Sequence, residues 1–87
     1  MREVQVNRVY KHFKGDSYIV EGIGTHSETG EQCVIYKALY GDGKIFIRPI
    51  ELFTSEVDNI KYPNVEQKYK FELQEIDSKR GKEIKNV

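Results

Sequence analysis

Apolar and polar positions alternate over short runs in this chain, and glycine-bearing turns separate the runs, which is the pattern of strands. "NRVYKHF" reads as a short first strand or its lead-in. "SYIVEGIGTH" is a clearer strand, "EQCVIYKALYG" the clearest, and "KIFIR" follows the glycine turn "GDGK". "SETG" joins the two clear strands as a hairpin loop, with Gly30 available for a left-handed corner. In "RPIELF" a proline and then a carboxylate precede Leu52 and Phe53, which predicts one helical turn capping the end of a barrel. "TSEVDNIKYPN" reads as loop, because Pro63 bars regular structure. Within "QKYKFELQEI", Tyr69, Phe71 and Leu73 alternate as in a strand, while Val65, Tyr69, Leu73 and Ile76 fit a helical stripe. The strand is preferred, since a helix would turn Phe71 to solvent.

Counting outward from the hairpin loop pairs Gly24 with Cys33, Ile23 with Val34 and Gly22 with Ile35. Continued without a break, the same count sets Ile19 opposite Ala38 and Tyr18 opposite Leu39. One face then carries Ile19, Ile23, Val34 and Ala38; the other carries Tyr18, Val20, Cys33, Ile35 and Leu39. Two apolar faces suit strands that bend round a small barrel, and Gly22 and Gly24 permit the bend. The expected fold is all-β: an SH3-like barrel of about five strands with one short helical turn. Residues 1–76 form its single domain, and the polar, lysine-rich 77–87 is a mobile C-terminal tail.

Eighty-seven residues leave room for one core, and a chain of this length buries only about 60–65% of its unfolded surface. Such a scaffold holds a groove or shallow pocket more readily than a water-excluding active site. Formal charge is zero, with 14 basic and 14 acidic residues, but it is unevenly spread. Residues 1–14 set Arg2, Arg8, Lys11 and Lys14 against Glu3; residues 15–60 hold three basic and eight acidic side chains; residues 61–87 are basic again, with seven against five. This is not the dominant basic footprint of a nucleic-acid coat protein, although the two ends allow a local basic patch. Cys33 is the only cysteine, which excludes an intrachain disulfide and a cysteine-based zinc site. With no long apolar run, a reducing, cytoplasmic setting is expected, and no membrane association.

Candidate chemistry concentrates in "GTHSETGEQ". His26 and Ser27 are adjacent, so on a strand they point to opposite faces, and no nucleophile-elbow context surrounds Ser27. Turn-forming hydroxyls and carboxylates explain the stretch as well as catalysis does. His12, His26, Asp42 and Glu51 lack metal-ligand spacing, so neither metal nor cofactor is expected. "YGDGKIFIRP" carries more: Tyr36, Tyr40, Phe46 and Arg48 gather near one hairpin, a surface suited to a peptide, an anionic group or an unstacked base. Its plain alternative is a tight turn at Gly41, Asp42 and Gly43, with Arg48 paired to Glu51 or Asp42. "YKHFKG" and "KYKF" interleave aromatic and basic residues, as single-strand platforms do and as protected strand edges also do.

Five blocks in order carry a resemblance over residues 9–73: "VYKHFKG", Tyr18 with Val20, "HSETGE", "VIYKALYGD" and "IRPIELF", with Val57 following. Together they resemble the bacterial family called domain of unknown function 1653. Its members share a Y-x-H-x-K-G opening, an H-S-E-T block, an L-Y-G-D turn and an R-P-x-x-x-F segment. Phe46 stands where the family often has tryptophan, and Gly24 where it often has alanine, so no indole platform is expected here. The resemblance implies no reaction. The expected function is a non-enzymatic binding module, with nucleic acid and a protein segment both expected as ligand classes. Its candidate residues are His26, Glu28, Tyr36, Tyr40, Asp42 and Arg48, flanked by Lys11, His12 and Lys14. The alternative is a small hydrolase or nucleotide-processing enzyme using His26 with Glu28 or Asp42. A third reading is self-association through the 69–73 strand edge, in a chain otherwise expected to be a monomer or weak homo-oligomer.

Overall fold

A computed structural model describes residues 2–75. The strands are β1 (Val9–His12), β2 (Ser17–Thr25), β3 (Gln32–Ala38), β4 (Ile45–Pro49) and β5 (Phe71–Leu73), with the single-turn helix α1 (Ile50–Phe53) between β4 and β5. All five strands and the helical turn anticipated from the alternation are present, giving a nearly all-β domain. The strands form one antiparallel sheet in the order β4-β3-β2-β1-β5. Closure into an SH3-like barrel is not observed, because β4 and β5 remain as the two edges. The tail expected at 77–87 lies outside the described residues. Among the described residues, no helix is long and apolar enough to cross a membrane.

The β2–β3 register holds from the loop to Gly22↔Ile35 and then shifts. A bulge at Glu21 makes the next pairs Val20↔Tyr36, Ile19↔Lys37 and Tyr18↔Ala38. This corrects the uninterrupted count, which sets Ile19 opposite Ala38, Tyr18 opposite Leu39, and Tyr18 and Val20 on the face away from Val34. The physical reason is visible at Glu21. An unbroken ladder would set its carboxylate opposite the buried Tyr36, and burying an unpaired charge is costly. The extra residue leaves Glu21 exposed and turns Val20 and Tyr18 inward beside Tyr36 and Ala38.

The concave face of the sheet carries the core: Tyr10, Val20, Val34, Tyr36, Phe53 and Phe71, with Val4, Tyr18, Ile50 and Leu73 packed against it. The helical turn delivers Phe53, fully buried and stacked on Phe71 at 4.2 Å between ring centres. Pro49 ends β4 at the position before the helix, and Thr54 closes α1 by donating its N–H and hydroxyl to the Ile50 carbonyl. Residues 54–70 close on themselves through the Glu56↔Tyr69 bridge. The Phe13 N–H also donates to the Lys70 carbonyl, 2.9 Å. Phe53 packs against Tyr10, Tyr36 and Phe71, and Tyr36 and Phe71 also line a surface recess.

Candidate functional site

That recess is built on the core itself. Tyr36 and Phe71 contact Phe53 on one side, and on the other they form the floor of a recess. Strand alternation then dictates what stands over that floor. Phe46 pairs with Tyr36 and Arg48 with Val34, so both project to the concave face from edge strand β4. His12 pairs with Phe71 and arrives from β1. Tyr40 follows the end of β3, and its hydroxyl meets that of Tyr18 at 2.9 Å. The result is an aromatic slot of about 300 Å³ walled by Tyr18, Tyr40 and Phe46, with His12, Lys14, Asp16 and Arg48 at its rim.

A second recess of about 360 Å³ adjoins the slot and shares His12, Lys14 and Arg48 with it. Its walls add Phe13, Asp58, Lys61, Tyr62 and Lys70. The tight β1–β2 turn aims much of this set. The His12 N–H donates to the Asp16 carbonyl, and Gly15 adopts φ +112°, where a side chain is strained. Phe13 packs edge-on against Tyr62 at 4.9 Å, and the Lys14 ammonium lies 5.9 Å from both rings. Asp58 is committed to its own turn, accepting the N–H groups of Ile60 and Lys61.

Arg48 is held by non-ionic contacts. Its Nε donates to the Tyr36 hydroxyl, 3.1 Å, and its guanidinium lies over the Phe71 ring at 5.3 Å. Neither Asp42 nor Glu51 pairs with it; among the described residues the one ion pair is Arg8 with Glu75, 3.5 Å. Four permanent cations (Lys14, Arg48, Lys61 and Lys70) therefore face the joined recess without a carboxylate partner among the described residues. Two carboxylates, Asp16 and Asp58, line it with them. The His12 pKa is lowered, first by burial, then by Arg48 and Lys14, with a smaller contribution from Lys70 and an opposing one from Asp16. Its Nδ1 accepts the Lys14 N–H at 3.1 Å, which requires that nitrogen unprotonated. Burial, followed by the bond to Tyr40, raises the Tyr18 phenol above its ordinary value, so it stays neutral.

The anticipated residues separate into two groups. Tyr36, Tyr40, Arg48, His12 and Lys14 converge on the joined recess. Asp42 lines a neighbouring hollow with Ala38, Tyr40, Lys44 and Phe46. Lys11 lies on the opposite face of β1, since its strand neighbours Tyr10 and His12 both face inward. His26 and Glu28 lie elsewhere. His26 borders a separate apolar hollow with Gly24, Thr25, Cys33, Ile35 and Ile47, sharing no lining residue with the recess. The His26 ring serves the turn: Nδ1 accepts the N–H groups of Glu28 (3.2 Å) and Thr29 (3.3 Å). The Thr29 hydroxyl accepts the N–H of Glu31, and Gly30 sits at φ +76°. His26 and Asp42 line different hollows, and no hydrogen bond joins the His26 ring to the Glu28 carboxylate among the described residues.

Sequence reasoning missed Tyr18, Phe13, Tyr62, Lys61, Lys70 and Phe71 as recess residues. "YKHFKG" and "KYKF" signalled three of them as interleaved aromatic and basic residues, but only the tertiary fold brings the two stretches together. Among the described residues, no three His, Cys, Asp or Glu side chains gather as metal ligands must. Three of the sequence blocks named above, "YKHFKG", "LYGD" and "RP", meet at this recess, while "HSET" turns the far hairpin. Neither the curated proteins nor the solved structures give a match to this chain. A family model described as a protein of unknown function, DUF1653, matches residues 8–73, and the chain belongs to that family.

Proposed function

We propose that this domain is a non-enzymatic binding module whose joined recess presents an aromatic and Arg48-centred surface to nucleic acid or a protein segment. One observation carries the reading: Lys14, Arg48, Lys61 and Lys70 converge beside exposed aromatic rings with no carboxylate ion pair among the described residues. Partnerless cations around a concavity favour an anionic occupant. Tyr40 and Phe46, 45% and 36% exposed, supply apolar contact area of the kind that dominates binding energetics. The hydrolase alternative loses its motivation, because the Nδ1 of His26 is occupied by turn N–H groups and no carboxylate reaches its ring among the described residues.

An amide chemical-shift titration tests the proposal with three ligand pools: short single-stranded oligonucleotides, mononucleotides and proline-rich peptides. Shifts confined to residues 12–18, 36–48 and 61–71 are the expected result. No response to any pool, or shifts centred on residues 24–35, would overturn it.

A further inference from the structure

We infer that the ligand is single-stranded nucleic acid, seated with a phosphate at the His12–Lys14–Arg48 junction and a base on each aromatic flank. This rests on the binding-module reading and narrows it to one ligand class. The two recesses meet at three shared residues, His12, Lys14 and Arg48, all of them basic. On one side of that junction stand Tyr40 and Phe46; on the other stand Phe13 and Tyr62. Ring, cation, ring is the order complementary to base, phosphate, base along a single strand. Unpaired bases stack on exposed aromatic side chains whatever their identity, while a basic groove follows the backbone.

The competing ligands match less of this arrangement. An acidic peptide satisfies the cations but leaves both aromatic flanks without flat partners. A phosphotyrosine peptide offers one ring beside its phosphate, not one on each side. A duplex keeps its bases stacked and paired, and the site is a concavity with no helix or ribbon to enter a groove. The Asp16 carboxylate, which has no side-chain partner among the described residues, lines the aromatic slot. There it can accept a hydrogen bond from an exocyclic amino group or a sugar hydroxyl. The Tyr18–Tyr40 hydroxyl pair fixes the slot wall in place before any ligand arrives, which limits the ordering cost of binding.

The test is fluorescence anisotropy of the whole chain with three labelled probes, an oligouridine octamer, an abasic octamer of the same backbone and a phosphotyrosine peptide, and with inorganic phosphate as an unlabelled competitor. The octamer is expected to bind, and the abasic strand to bind about tenfold more weakly or worse. Tyr40→Ala and Phe46→Ala, at exposed positions outside the buried core, are each expected to weaken octamer binding about fivefold or more. Lys14→Gln and Lys61→Gln are each expected to reduce the slope of log affinity against log salt by about 0.7. Equal affinity for the base-bearing and abasic strands overturns the stacking assignment. Binding of the phosphotyrosine peptide at the recess without binding of the octamer overturns the nucleic-acid inference and leaves the binding module standing. If no probe binds and none shifts the recess amides, both fall.

Discussion

Arg48 shows how a single residue in this domain is aimed by its surroundings. It lies on an edge strand, where a long cation would ordinarily extend into water, yet its Nε is bonded to Tyr36 and its plane lies over Phe71. Tyr36→Phe removes that acceptor without changing shape. The expected cost is about 0.5–1.5 kcal/mol of stability, with weaker ligand binding, read from urea unfolding and from anisotropy. His12 gives a prediction in pH. Its pKa in the fold is lowered from 6.5, so between the two values the unfolded chain binds more protons, and stability rises with pH. The contribution is complete above about pH 6.5 and is lost as pH falls through the folded value. Urea melts at pH 5 and 7.5 should show a larger loss for the wild type than for His12→Gln; equal losses would refute the assignment. Anion binding should reverse the trend. A phosphate facing Arg48, Lys14 and Lys70 favours protonated His12, so oligonucleotide affinity is expected to rise as pH falls from 7.5 to 5.5.

At the scale of elements, two turns with similar composition have different duties. The β1–β2 turn positions His12, Phe13, Lys14 and Asp16 around the recess, and Gly15 makes it possible at φ +112°. Gly15→Ala meets no steric obstacle, yet the conformation should cost about 1–3 kcal/mol and weaken binding, because the residues it aims are recess residues. The β2–β3 turn uses the ring of His26 as a double acceptor. His26→Ala should cost about 1 kcal/mol and leave binding unchanged. Thermal melts and anisotropy on both variants separate the two duties, and a binding loss from His26→Ala would contradict the division. The bulge at Glu21 explains why the strand pattern was legible while the faces were not. Alternation locates β2 and β3, but one extra residue reverses which side chains enter the core, and no local signal marks it except the carboxylate that an unbroken ladder would bury.

For the whole molecule, the decisive fact is that a chain of zero formal charge builds a locally basic recess. Lys14 comes from the basic first segment, Arg48 from the acidic centre, and Lys61 and Lys70 from the basic final segment. Ligand affinity should therefore fall steeply with salt although the net charge is zero, with a slope set by the phosphates engaged, about 0.7 for each. Titrations at 50 and 200 mM salt check this, and a flat response would mean that the cations make no phosphate contact. Hydrophobic alternation, glycine turns and the Arg48–Pro49 segment determined five strands, a helical turn and a hairpin register correct as far as Gly22, because these depend on neighbours close along the chain. The blocks "YKHFKG", "LYGD" and "RP" also named part of the recess, as did the spacing of Tyr36, Tyr40 and Arg48. Only the tertiary structure decided that the sheet stays open and that Phe53 stacks on Phe71 beside the recess. The same long-range packing brought Phe13, Lys61, Tyr62 and Lys70 to His12 and Arg48 and left His26 at a separate hollow. Those outcomes depend on the bulge and on contacts between residues dozens of positions apart, which alternation along the chain does not encode.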